Sequence, residues 1–397
     1  MKVPFALPEC GEAETNEVVE VIKSGWLTTA SRAFEFENRF KEFTGAKYCL
    51  AVNSCTAALH LGLEALGIKR GDKVIVPVHT FTATAEVLRY LDADPVFVDC
   101  DKDTFCISIP ELQQKIAEDN LKRQIKAVIP VHFGGHSCDM DHVIDISRKA
   151  ALSVIEDAAH AFPAFYVSSN ENGEEKRRII GKIGDVTCFS FYANKTITTA
   201  EGGMLATDNE AIARRAKVMR LHGIDRDVWD RFGSLKSDWI YDVVAPGFKY
   251  NMPDLSAALG IHQLRKANLF REKREKIAQR YYDELSGIDG LTLPKIKCSM
   301  KDHAWHIFAI LIDSRYSKHS LNRDDFILKM KEKNIGTSVH YIPLHRLTYY
   351  RNRYNLQPEM FPNSEWIFQR CVSLPIYSAM TEDQIEYVIC SIQKILN

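Results

Sequence analysis

The chemistry-bearing residues of this 397-residue chain cluster in a few short segments. One is FSFYANKTITTAEGGML, residues 189–205, in which Lys195 stands among hydroxyls and small residues. If buried, such an ammonium must be paired, neutralised or used covalently. A desolvated lysine gives up its proton more readily and becomes a nucleophile for aldehydes. A lysine at a loop tip is the plainer reading.

Other segments offer complementary groups. Asn53-Ser54-Cys55-Thr56-Ala57-Ala58 follows a strand pattern and opens a helix pattern. Backbone N–H groups at such a helix start suit a phosphate, although a simple Ser/Thr N-cap has the same signature. Ile155-Glu156-Asp157-Ala158-Ala159-His160 ends an apolar run with two carboxylates and then an imidazole. Asp157 could hold a proton on a bound heteroaromatic nitrogen, or cap the following turn. His132, His136 and His142, with Asp139, have tempting zinc spacing, but Gly134-Gly135 breaks any rigid helical ligand pair. A loop after a strand is the alternative there.

Most of these features fit one cofactor. Pyridoxal 5'-phosphate requires a lysine for its aldehyde, a carboxylate for its ring nitrogen, donors for its phosphate and a flat group against its ring. Lys195, Asp157, Ser190 with the Cys55-Thr56 turn, and Phe81 could fill these positions.

Such residues, distant in sequence, need a scaffold of strand ends. Residues 46–210 alternate short apolar runs with helical patterns. Strands are expected at 73–77, 95–99, 127–131, 153–156, 186–190 and 203–207, and helices at 56–66, 83–91 and 141–149. This alternation indicates an α/β fold with a mostly parallel sheet covered on both faces, whose ligands sit beyond the carboxyl ends of the strands. The polar stretch 168–178 reads as an exposed loop. After about residue 250, charged helical patterns, a strand at 306–312 and a closing helix at 381–396 suggest a second, smaller α/β domain. The expected division is 1–250 and 251–397.

Lys plus Arg (51) balances Asp plus Glu (52), which argues against nucleic-acid or membrane-surface binding. Ten scattered cysteines without a CxxC pair argue against a zinc ribbon or redox motif. No targeting segment or membrane-length apolar run is visible, so a cytoplasmic protein with reduced thiols is expected.

The ordered set of segments resembles the pyridoxal-phosphate-dependent sugar aminotransferases of the DegT/DnrJ/EryC1/StrS family. The resemblance is carried by Gly25–Thr29, Asn53–His60, Pro77–Phe81, Glu156–His160, the Lys195 segment, Gly247–Asp254 and Val339–His345. It implies the type I aspartate aminotransferase fold. It also implies that Lys195 forms the internal aldimine, Asp157 keeps the pyridine nitrogen protonated, Phe81 stacks on the ring and His160 lies near the ring hydroxyl. Cys55, Thr56 and Ser190 would bind the phosphate. Asn251 would reach the phosphate in a neighbouring subunit, which implies a homodimer. Trp26, Thr28, His340 and Tyr341 fall where the family meets its nucleotide sugar.

Amino transfer from glutamate to a UDP- or dTDP-linked 4-keto-6-deoxyhexose, through pyridoxamine 5'-phosphate, is the implied reaction. A dehydratase or other lyase on the same scaffold, a non-catalytic sensor of this fold, and a metal hydrolase built on His132, His136 and His142 are the alternatives. The dehydrating branch replaces the lysine by histidine, whereas Lys195 is present here. Many members carry Gly where this chain has Ala200, and Gly or Ala where it has Cys55. Cys55 would act mainly through its backbone N–H. Alanine at 200 is expected to exclude a glycine-only backbone angle. The 168–178 stretch is longer than in many members.

Overall fold

Apolar β-branched runs such as Lys-Val-Ile-Val-Pro form strands that must bury both faces. In the computed structural model, which describes residues 1–119, 121–169, 175–225, 241–316 and 320–396, they assemble one central sheet. Its strands are β1 (Tyr48–Val52), β2 (Lys73–Pro77), β3 (Asp94–Val98), β4 (Ile125–Val128), β5 (Ser153–Asp157), β8 (Val186–Ser190) and β9 (Gly203–Thr207). Between β5 and β8 in the chain come β6 (Phe165–Ser169) and β7 (Glu175–Ile179), which form a separate ribbon.

The sheet order is β1-β9-β8-β5-β4-β2-β3. Neighbours from β3 through β8 run parallel, while β9 is antiparallel to both β8 and β1. This is the mostly parallel sheet expected, and the strand limits differ from the sequence reading by at most a few residues. Because β2, β5 and β8 are parallel, Pro77, Asp157 and Ser190 all emerge at one edge of the sheet.

Both faces are covered. On one, Phe36 and Phe40 from α2 (Ser31–Thr44) pack with Phe162, Phe189 and Phe191, with ring centroids 4.8–6.4 Å apart. On the other, α3 (Cys55–Ala65) buries Leu59, Leu61 and Leu63 against Val74, Val76 and Val186. The helix ends as its sequence suggests: Ser54 caps the start, and Gly67 just beyond the end adopts φ +82°.

A second, three-stranded sheet, β10-β11-β12, joins Leu291–Thr292, Phe308–Ile312 and Cys371–Leu374 in antiparallel pairs. The helices Ala267–Leu285, Arg323–Glu332 and Glu382–Leu396 share a core with it, centred on Tyr281, Phe308, Phe326 and Ile389. The 306–312 strand pattern begins only at Phe308, which leaves His306 in the approach to the strand.

One reading is corrected. The 168–178 stretch is not a plain loop: β6 and β7 pair antiparallel from Phe165↔Ile179 to Ser169↔Glu175, and residues 170–174 lie outside the described set. A two-stranded ribbon facing water needs no apolar alternation, so its composition matches that of a loop. Arg177 holds it down, stacking over Phe165 and pairing with the buried Asp302 at 2.6 Å. Among the described residues, no helix is long and apolar enough to cross a membrane.

Candidate active site

Asp157 closes β5 and is buried there. One carboxylate oxygen accepts from the Thr84 hydroxyl at 2.8 Å, and the other accepts from the Ala159 N–H at 3.1 Å. Burial pushes its pKa up, and these hydrogen bonds and Lys195 offset part of that rise.

Lys195 sits on the turn after β8, with its N–H donating to the Tyr192 carbonyl at 2.9 Å. Its Nζ lies 3.4 Å from His306 Nε2. Burial pulls the amine down to a pKa of about 8, against the opposing pull of Cys55 and Asp157. Lys195, His160, Ser190, Thr196 and His306 line one small chamber at this edge of the sheet.

The threonines after Lys195 build the return turn. Thr198 donates its hydroxyl to the Phe191 carbonyl at 3.1 Å and accepts from the Ala200 N–H at 2.9 Å. Thr199 donates to the Glu201 carbonyl at 2.8 Å. Ala200 has φ +66°, so the expectation that alanine excludes a glycine-like angle here is overturned. The left-handed region is open to alanine at a modest cost, and the Thr198 contact fixes the amide that must turn.

At the first turn of α3, the Ser54 hydroxyl accepts from the Ala57 N–H at 3.0 Å. Cys55 and Thr56 follow it, in the positions whose backbone N–H groups have no acceptor within the helix. Gly203 lets β9 pass close by: a Cβ there would stand 2.5 Å from the Ser54 carbonyl carbon. The N-cap and anion-site readings are therefore compatible. Ser190, at the end of β8, accepts from the Tyr192 N–H at 3.4 Å.

His160 is held from two sides. Its Nδ1 accepts from the Gly134 N–H at 3.2 Å, and its Nε2 lies 2.7 Å from the Tyr341 hydroxyl. Burial, aided by Lys195, keeps the ring neutral, so Nε2 carries the proton and donates to Tyr341. The Tyr341 ring stacks beside His160 and stands 5.8 Å from the ring of Phe81, a residue that is 56% exposed. His340 is in contact with Ser373 at 2.8 Å and stacks on Phe5; burial lowers its pKa to about 3.

The remaining residues form a neighbouring group. Asn251 donates to the Thr29 hydroxyl at 2.6 Å and accepts from Lys249, and its backbone bridges Val52 at the end of β1. Thr28 is exposed, with its carbonyl accepting from the Asp254 N–H, and Trp26 is half-buried beside Ser24.

The histidines of the zinc-like segment part company. His132 meets Glu156 at 3.0 Å in full burial, His136 contacts Cys106 and the Lys297 amide, and His142 pairs with Asp139 on the surface. No group of three or more potential metal ligands occurs among the described residues. His306 is the residue that sequence reasoning missed. The imidazole-rich His303-Ala304-Trp305-His306, just before an apolar run, was the available signal.

The residues present fit pyridoxal phosphate. A lysine of lowered pKa and a buried carboxylate share one edge of the sheet with a helix start that glycine leaves open, and the exposed Phe81 lies beside Tyr341. Fold and site define a pyridoxal-phosphate-dependent aminotransferase.

Comparison with known proteins gives the particular family. The model of the DegT/DnrJ/EryC1/StrS aminotransferase family matches residues 8–393. The chain is 46% identical to the uncharacterized protein MJ1066 of Methanocaldococcus jannaschii and 42% identical to the spore coat polysaccharide biosynthesis protein SpsC of Bacillus subtilis. Each match covers 99% of this chain and 97% of the relative. Spr1654 of Streptococcus pneumoniae, named as a sugar aminotransferase and solved in its PMP form, superposes with a TM-score of 0.87 at 30% identity, covering 99% of both chains. The chain belongs to the DegT/DnrJ/EryC1/StrS family and is a pyridoxal-phosphate-dependent sugar aminotransferase.

Proposed function

We propose that this enzyme moves the amino group of glutamate to a nucleotide-linked keto sugar, a 4-keto-6-deoxyhexose on UDP or dTDP. The observation that carries the reading is the Lys195 amine, with a pKa of about 8, in electrostatic contact with the buried Asp157 carboxylate at the same end of the sheet. The cofactor supplies a carbonyl for the amino group and an electron sink for the carbanion. Lys195 would hold the cofactor through its carbonyl and, once displaced by the donor amine, would serve as the base that takes the donor's α-proton and the acid that returns a proton. Asp157 would keep a proton on the ring nitrogen, Phe81 would pack against the ring, and His160 would lie by the ring hydroxyl. Cys55, Thr56 and Ser190 would take the phosphate.

Trp26, Thr28, His340 and Tyr341 meet the nucleotide sugar. Asn251 serves the partner's site, so the working unit is a homodimer with shared sites. Residues 1–250 form the cofactor domain and 251–397 the smaller domain, and the enzyme works in the cytoplasm. The kinship with SpsC, a spore coat polysaccharide biosynthesis protein, supports an activated sugar as acceptor.

The test is a panel of nucleotide keto sugars incubated with purified enzyme and glutamate. One 2-oxoglutarate per amino sugar is the expected result. Turnover without 2-oxoglutarate would indicate a lyase, and inertness of every sugar would overturn the substrate class.

A further inference from the structure

His306 has no place in the reaction described so far, although it stands within hydrogen-bond distance of the Lys195 amine. Its Nε2 stands 3.4 Å from Nζ, and its ring packs 4.6 Å from His160. The ring is buried, and its other nitrogen, Nδ1, has no hydrogen-bond partner among the described residues. His160 cannot substitute for it, because Gly134 and Tyr341 occupy both of that ring's nitrogens.

The position of His306 is imposed by the Gly134-Gly135 pair. The Ala304 N–H donates to the Gly135 carbonyl and the Ile307 N–H to the Gly134 carbonyl, both at 3.1 Å. Gly135 has φ +104°, and a Cβ there would stand 2.9 Å from the Ala304 Cβ. The two glycines thus let residues 304–307 dock backbone to backbone on the loop after β4, which delivers His306 to Lys195.

We propose that His306 is a positioning residue for Lys195: its Nε2 accepts a hydrogen bond from Nζ and aims the amine within the chamber. An ammonium has only donors, so while Lys195 is charged the imidazole nitrogen must be the acceptor. The contact favours the charged form and moderates the loss of basicity that burial imposes. The other titratable groups facing Lys195 are Cys55, Asp157, His160 and His340. The inference rests on Lys195 as the working amine, but its test needs neither substrate nor cofactor, so it stands or falls separately from the proposed reaction.

The experiment follows the pH dependence of reductive methylation of Lys195 by formaldehyde and cyanoborohydride in cofactor-free, full-length protein, read by peptide mass spectrometry. His306→Gln keeps an acceptor near the Nε2 position. His306→Asn is polar but too short, and His306→Phe removes the acceptor. Loss of a hydrogen bond to a charged group should lower the Lys195 midpoint by about one pH unit in the Asn and Phe variants, with Gln close to wild type. A midpoint in His306→Asn equal to wild type would overturn the proposal, as would His306→Gln shifting as far as His306→Asn. The Gln–Asn comparison decides the matter even if the Phe variant does not fold.

Discussion

The Tyr341 hydroxyl and His160 Nε2 lie 2.7 Å apart, joining the loop after β5 to a segment 181 residues further along the chain. Tyr341→Phe would leave the His160 N–H facing a ring edge. A buried donor without a partner costs roughly 1–3 kcal/mol. Chemical denaturation of the variant should show a loss of that size, whereas an unchanged midpoint would mean that water replaces the hydroxyl.

Lys195→Arg keeps the charge but cannot serve as a base, since the guanidinium does not release its proton. Turnover with glutamate and the accepted sugar should fall by about 10³-fold or more. Near-normal rates would remove Lys195 from the reaction.

Asp157→Asn retains an oxygen for the Thr84 or Ala159 donor but loses the charge that holds a proton on the ring nitrogen. Turnover should drop by about 10²–10⁴-fold, the range for a lost acid–base group. The cofactor-free variant should be at least as stable as wild type at pH 7, because burial already disfavours the ionised carboxylate. A destabilised apoprotein would show instead that Asp157 is chiefly structural.

Acid should unfold this protein early. His79 is buried with its pKa lowered to about 4, and burial also holds His160, His303 and His306 well below the ordinary value. A depressed histidine contributes stability that is present above about pH 6.5, the unfolded value, and is lost as pH falls towards the folded value. For His79 the window runs from about 6.5 down to about 4. Stability measured across it should fall steeply with acidification. Replacing His79 by Asn should remove about 1.4 kcal/mol per pH unit from that slope. An unaltered slope would mean His79 titrates normally.

Ala200→Gly should stabilise the protein by about 0.5–1 kcal/mol. Relief of the left-handed alanine outweighs the added freedom of glycine in the unfolded chain. Gly202→Ala should act in the opposite sense, since its Cβ would stand 2.6 Å from the Met252 terminal carbon. Thermal unfolding of the two variants reads both signs, and a destabilised Ala200→Gly would contradict the strain at 200.

Much of the molecule was determined locally and could be read directly. Lys73–Pro77, Val186–Ser190 and Gly203–Thr207 are strands because runs so apolar must be buried on both faces, and Ser54 caps a helix because its hydroxyl reaches the Ala57 amide. Lys195 and Asp157 were legible as residue types at strand ends. The ribbon at 165–179 was not, since backbone pairing in water leaves no mark on composition. The partners of His160 and Lys195 were not legible either. Tyr341 and His306 are 181 and 111 residues distant from them, and such contacts depend on how the second sheet docks against the loop at Gly134-Gly135. Sequence by itself determined which groups could do the chemistry, through burial and local hydrogen bonding. Only the tertiary structure decided which imidazole faces the lysine, because that choice is made by long-range packing.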